Sequence, residues 1–192
     1  PGTALNDEGR LLARRFPGLP QEQAPDRVAA GRRLLAQHAV DVLFLDDGFQ
    51  HRRLARDLDL VCLDAARPFA RGPFARGRLL PAGDLREPPS ALRRADAVVM
   101  TRAGALDEAT RRQRVAMVRG HARRELPVWF AEHAPLDVES SPDRRCEPVD
   151  TLRGREVVLL SSIARPAAFE ATVVGLGAKV LAHHARRDHC GR

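Results

Sequence analysis

Asp46 and Asp47 stand side by side behind an apolar run, Val40-Asp41-Val42-Leu43-Phe44-Leu45, and Gly48 follows them directly. A run of that length and character is expected to be a strand buried in a sheet. Its tip then delivers two carboxylates to one place, where they can hold magnesium, directly or through water, against nucleotide phosphates. Asp-Asp-Gly is equally a turn with an acidic start, so the three residues alone leave both readings open. Gln50 and His51 come within reach of the same strand end and add hydrogen-bonding groups to it.

The rest of the pattern says what would hold such a pair in place. Residues 7–16 carry Leu11 and Leu12 among Arg10, Arg14 and Arg15, and read as a short helix capped by Asn6 or Asp7. Residues 26–38 repeat the helical period, with Val28, Ala29, Leu34 and Leu35 on one stripe. Two more short apolar runs, 58–63 and 97–100, end in Asp64 and Thr101. Strands apolar on both faces, alternating with amphipathic helices, predict a parallel sheet covered on both sides. Ligands of such sheets bind beyond the carboxyl ends of the strands, where Asp46, Asp47, Asp64 and Thr101 all fall. A long arginine-rich helix is expected over 107–124, either a solvated charged face or one that meets lipid phosphates, and a further strand over 127–131. Residues 135–154 are polar, proline-rich and aperiodic, and read as a linker. A strand at 156–160, a helix at 166–176 and a strand at 179–182 then form a second β-α-β unit. The expected organisation is a lobe over 1–134, a linker over 135–154 and a smaller α/β lobe over 155–192.

Composition narrows the partners. The 192 residues carry a formal charge of +7, and of 32 basic residues only Lys179 is lysine. A positive field attracts nucleic acid, anionic membrane surfaces and phosphorylated substrates alike. With seven Phe, one Trp and no Tyr, stacking platforms for single strands are scarce, which argues against nucleic acid. Cys62, Cys146 and Cys190 are odd in number and form no CxxC spacing, so reduced thiols in a cytosolic protein are expected. No apolar run approaches the roughly 18 residues of a spanning helix, and the first residues lack the features of a signal peptide. Pro-Phe-Ala-Arg-Gly occurs twice in tandem at 68–77 and reads as a loop extension.

Three ordered motifs carry a specific resemblance. Leu45-Asp46-Asp47-Gly48-Phe49-Gln50-His51-Arg52-Arg53-Leu54-Ala55-Arg56-Asp57 is the first. Gly77-Arg78-Leu79-Leu80-Pro81-Ala82-Gly83-Asp84-Leu85-Arg86-Glu87-Pro88 is the second, and Arg94-Ala95-Asp96-Ala97-Val98-Val99-Met100-Thr101-Arg102 the third. Together with Asp7-Glu8, Arg27 behind Asp26, and Asp188-His189 after residues 163–180, they resemble tetraacyldisaccharide 4'-kinase, the lipid A kinase of Gram-negative bacteria. The resemblance implies a P-loop-NTPase-like α/β fold, with a parallel sheet flanked by helices and a smaller α/β second lobe. It also implies an ATP- and Mg2+-dependent enzyme that phosphorylates the 4'-hydroxyl of tetraacyldisaccharide 1-phosphate. The implied partner is that lipid A disaccharide precursor, met by peripheral contact with the cytoplasmic face of the inner membrane, with no role for nucleic acid.

Residue by residue, the resemblance makes Asp7 the carboxylate that takes the proton of the attacking hydroxyl, and His189 its orienting partner. Asp46 and Asp47 become the magnesium ligands. Glu8, Arg27, His51 and Arg86 fall around the phosphates and substrate, where arginine offers a bidentate grip on phosphate oxygens. Simpler roles stand beside these: Asp7 as a helix cap, Arg27 and Arg86 as solvated surface arginines, and His183, His184, Asp188, His189 and Cys190 as an irregular metal-binding cluster.

The family's glycine-rich phosphate loop, ending in Lys and Ser or Thr, has no counterpart, because Gly-Lys-Ser/Thr occurs nowhere in the 192 residues. The run Gly175-Leu176-Gly177-Ala178-Lys179-Val180 lacks both the adjacent Gly-Lys and the hydroxyl. The expectation is therefore an internal, inactive piece of the kinase with the N-terminal part of the sheet missing. The alternative is a non-catalytic domain that binds anionic lipid and has lost the nucleotide half.

Overall fold

A computed structural model of the chain describes residues 5–69, 78–123 and 125–186. Most of the tandem repeat at 68–77 and the whole Asp188-His189 motif lie outside the described residues. The chain divides into two compact units, 1–132 and 133–192.

In the first unit, α1 (Asp7–Arg15) begins where the Asn6 side chain accepts from the Gly9 N–H at 2.8 Å, with Asp7 and Glu8 in the first turn and Arg14 and Arg15 in the last. That charge order follows the helix dipole. Helix α2 (Arg27–Gln37) starts at Asp26, whose carboxylate accepts from the N–H groups of Val28 and Ala29. A three-stranded parallel sheet follows, in the order β1 (Leu60–Asp64), β2 (Ala97–Thr101), β3 (Val128–Phe130). A 3-10 helix over Pro89–Arg94 leads into β2, and α3 (Glu108–Arg119) is the crossover from β2 to β3.

The pleat sorts the strands into two faces. Val98 and Met100 of β2, flanked in register by Val61 and Leu63 of β1 and by Val128 and Phe130 of β3, pack into the core with Leu92, Val118 and Leu126. Phe69, from the first copy of the tandem repeat, also belongs to this core and meets His121 edge-on at 5.1 Å. The other face stays open: Leu60 is 51% and Trp129 54% exposed. Among the described residues the sheet is thus covered on one side, not on both as expected.

The strand expected at 40–45 is absent. The segment is irregular, with Phe44 95% exposed, and no backbone hydrogen bond joins it to a strand among the described residues. An apolar run becomes a strand only when a neighbour satisfies its N–H and C=O groups, and among the described residues none does. Helix α3 also ends five residues earlier than expected, at Arg119, because Gly120 closes it and a turn follows.

In the second unit, residues 135–154, expected as a linker, hold a short antiparallel hairpin, β4 (Asp137–Glu139) with β5 (Cys146–Pro148), and a 3-10 turn over Val149–Leu152. Strands this short carry too few alternating residues to show a period. The β-α-β unit forms as expected: β6 (Glu156–Ser161) and β7 (Lys179–Ala185) pair in parallel, and α4 (Pro166–Gly175) connects them. Leu159, Val173 and Ala178 form its small core.

One polar chain knits this unit together. Ser161 of β6 hydrogen-bonds Nε2 of His183 on β7 at 2.8 Å, and Nδ1 of the same ring meets Glu170 of α4 at 2.9 Å. Ser161 is 8% exposed, so losing its partner leaves a buried hydroxyl unsatisfied. His183→Ala is therefore expected to destabilise the chain by about 1–3 kcal/mol. The same change at exposed His184 is expected to stay within about 0.5 kcal/mol. Urea unfolding of the two variants checks the contrast.

Candidate functional site

The Asp46-Asp47-Gly48 turn is built by close approach. A Cβ on buried Gly48 would lie 2.5 Å from Cγ of Leu45, so any side chain there must displace Leu45. Asp47 takes φ +50, the left-handed region that Asp tolerates better than most residues. The turn thereby aims the Asp47 carboxylate at Arg86, whose Nη1 donates to both oxygens at 2.5 and 2.6 Å. This is the contact that brings the first and second sequence motifs together.

The second motif is shaped to present that arginine. The Leu80 N–H donates to the Leu85 carbonyl at 2.9 Å, and the Leu85 N–H to the Arg78 carbonyl at 3.2 Å. The loop thus closes on itself just before Arg86. The Arg86 guanidinium holds the Asp47 carboxyl below the usual carboxylate range, first by its hydrogen bond and then by its charge, and Arg27 at the start of α2 adds to the pull. Reciprocally, Arg86 is pushed above the ordinary arginine value by Asp47.

His51 and Arg53 act in turn on Asp26, the cap of α2, whose carboxyl is lowered chiefly by the Ala29 N–H. Nε2 of His51 is buried and without a hydrogen-bond partner. Asp47 is thus coupled to Arg86 and more weakly to Arg27, while His51 acts on Asp26, the residue before Arg27.

Asp7 and Glu8 are exposed in the first turn of α1, where Asp7 pairs with Arg10. The cap is Asn6, not Asp7. Reciprocal hydrogen bonds between Asn6 and Gln23 tie this helix start to the segment leading into α2: the Asn6 N–H donates to Oε1 of Gln23, and Nε2 of Gln23 to Oδ1 of Asn6. His189 lies outside the described residues, so its pairing with Asp7 stays an implication of the resemblance.

Sequence reasoning passed over the residues that hold these loops. Arg56 grips Asp59 with Nε at 2.6 Å and Nη2 at 3.1 Å, while its Nη1 donates to the carbonyls of His51 and Leu54. Arg94 lies 4.4 Å from the ring centre of Phe49 and binds Glu87. Their signal was one arginine among many, at positions whose partners are distant in sequence.

Asp46 and Asp47 offer hard oxygen donors, and magnesium is satisfied by one or two carboxylates when phosphates and water supply the rest. No cluster of three or more His, Cys, Asp or Glu side chains able to hold a metal occurs among the described residues. The pair therefore fits a cation that arrives with phosphate better than a self-contained cage.

The α3 arginines are partly committed to the fold. Arg111 donates to the Leu106 and Ala103 carbonyls and lies 5.2 Å from the Phe130 ring centre, and Arg119 donates to the Leu126 carbonyl.

The family model described as "Tetraacyldisaccharide-1-P 4'-kinase" matches residues 3–191. A tetraacyldisaccharide 4'-kinase of Anaeromyxobacter dehalogenans (strain 2CP-C) is 44% identical over 192 residues, covering 98% of this chain and 48% of that protein. The corresponding protein of Syntrophus aciditrophicus is 37% identical over 190 residues, covering 95% of this chain and 49% of its own length. Among solved structures, the "apo" form of LpxK from Aquifex aeolicus in complex with ATP aligns with a TM-score of 0.59 at 31% identity, covering 85% of this chain and 46% of that one. The chain thus spans about half the length of the relatives it matches.

Because its folded pKa is depressed, Asp47 adds stability above its unfolded value, and that stability is lost as pH falls through the folded one. Both partners are 59% exposed, so the effect is screened and small. Arg86→Ala is expected to return the Asp47 carboxyl toward the ordinary range and flatten this acid limb. Carboxyl 13C NMR titration tests it, and an unmoved Asp47 midpoint would remove Arg86 as the cause.

Proposed function

From its membership of the tetraacyldisaccharide-1-phosphate 4'-kinase family, we propose that this chain supplies the magnesium-binding and acceptor side of a lipid A 4'-kinase. The whole enzyme moves the γ-phosphoryl of ATP onto the 4'-hydroxyl of tetraacyldisaccharide 1-phosphate. The observation that carries the reading is the ion pair of Arg86 with Asp47, which gathers a carboxylate and a guanidinium from two separate stretches of chain beside Asp46.

In this reading Asp46 and Asp47 are the residues that would hold magnesium, which would supply positive charge against that developing on the transferred phosphoryl group. Arg86, bound to Asp47 without nucleotide, exchanges that carboxylate for phosphate oxygens, its planar donors serving either partner. Arg27, His51 and Glu8 line the phosphate and substrate side. Asp7 accepts the hydroxyl proton and His189 orients it, a division of labour that asks only modest basicity of a carboxylate. The first unit corresponds to the kinase core and the second to the smaller lobe.

The site works at the cytoplasmic face of the inner membrane, where an acylated substrate resides. A net charge of +7 supports contact with an anionic surface. No helix among the described residues is long and apolar enough to cross a membrane.

A phosphate loop is not among these 192 residues, so they are expected to show no measurable ATP-dependent phosphorylation of the lipid disaccharide. Robust magnesium-dependent turnover by residues 1–192 would overturn that division of the site. In a longer protein that joins this chain to such a loop, Asp7→Ala should lower kcat roughly 100- to 10,000-fold while KM changes little. An unchanged kcat removes Asp7 from its role. Lipid binding that persists without any ATP dependence in that longer protein would favour a non-catalytic lipid-binding domain instead.

A further inference from the structure

Three of the proposed site residues, Asp46, Asp47 and His51, sit in a stretch without helix or strand, and Arg86 sits in another. Loops of this kind sample many conformations unless something fixes them, and a carboxylate pair must be held in register with its arginine to grip one phosphate-bound cation. Besides the exposed Asp47–Arg86 pair, both stretches meet at one further side chain. Nη2 of Arg94 donates to both carboxylate oxygens of Glu87, at 2.9 and 2.8 Å, and approaches the Phe49 carbonyl at 3.4 Å. Its guanidinium carbon lies 4.4 Å over the centre of the Phe49 ring. Glu87 adjoins Arg86, and Phe49 is two residues from Asp47.

Arg94 is itself anchored. It ends the 3-10 helix over Pro89–Arg94, between Leu92 and Ala95, which are 4% and 2% exposed. Its Nε–H is buried with no acceptor. A solvated surface arginine would turn that group to water, so its position marks a side chain held by the other contacts. Lysine lacks the planar guanidinium face that lies over the Phe49 ring and so cannot hold Phe49 and Glu87 in the same way.

We infer that Arg94 is a positioning residue, a clamp that fixes the Asp46-Asp47 turn against the Arg86-Glu87 segment and so sets the geometry of the cation and phosphate site. Its purpose in phosphoryl transfer rests on the function proposed above; the clamp itself does not. Arg56 holds the far end of the first loop, at His51 and Leu54, but makes no bond to the second among those described, so behind the exposed Asp47–Arg86 pair the half-buried contact between the two loops is made by Arg94.

The test uses the 192-residue chain and needs neither ATP nor lipid. Backbone amide exchange, and Mn2+ affinity in the presence of inorganic pyrophosphate, are compared for wild type, Arg94→Lys, Arg94→Ala and the exposed neighbour Arg93→Ala. Both Arg94 variants should raise exchange at least about tenfold at the His51 and Leu54 amides, which bond the Gly48 and His51 carbonyls, while Val98 and Met100 in β2 keep their protection. Mn2+ affinity should fall about tenfold or more, as when groups supporting a metal's ligands are removed. Arg93→Ala should do neither.

Unchanged loop exchange and Mn2+ affinity in Arg94→Lys overturns the inference. So does a rise shared equally by β2, which would mean general loosening. Failure of the kinase reading alone would leave these results standing, because none of them reports turnover.

Discussion

Backbone pairing along β2 is the constraint on which the first unit depends. It is the middle strand, with a parallel neighbour on each edge, and Val98 and Met100 are completely buried. A strand in that position satisfies its polar backbone on both sides while turning its side chains into the core, so its register leaves almost no freedom. The connections into β1 and β2 inherit this rigidity. The Asp59 N–H donates to the Asp96 carboxylate and the Asp96 N–H to the Asp59 carbonyl, which locks the two strand entrances to each other. Arg56 and Arg94 reach out from these entrances to the loops that bear the site. The irregular part of the molecule is held from its most regular part.

That arrangement explains part of the arginine excess. Arg56, Arg94, Arg111 and Arg119 each donate to a backbone carbonyl in a loop or near a helix end. A guanidinium with five donors in a plane can satisfy a carboxylate and a carbonyl at once, which an ammonium group does less well. Arginine here is first a structural bracket. Arg27 and Arg86 differ because the carboxylate they act on is exposed at a turn, where its interactions are open to exchange with solvent or ligand.

Much of the layout was legible before any coordinates. The helices starting near Asp7, Arg27, Glu108 and Pro166, and the strands at β1, β2, β3, β6 and β7, all follow from the spacing of their apolar residues, with Asn6 or Asp7 as the cap of the first; Asp26 and Asp107 as caps came from the structure. The pair of short strands at 137–139 and 146–148 was not legible, since three residues define no period. The run at 40–45 misled for a different reason. Its composition describes a buried strand, but burial and pairing come from neighbours, and an apolar run cannot summon one. The open face around Leu60 and Trp129 has the same origin.

For the site, the sequence by itself determined which groups are available: adjacent carboxylates before a glycine, a histidine four residues after the second of them, and an arginine in a Pro- and Gly-bounded loop. Family membership is likewise a property of the ordered motifs. Only the tertiary structure decided that Asp47 and Arg86, 39 positions apart, make one ion pair, and that Arg94, 45 positions from Phe49, holds their loops together. Such contacts have no sequence period, because they join irregular segments whose separation depends on how much chain lies between them. What brings them together is the packing of β1 and β2, which places the segments before both strands at the same end of the sheet.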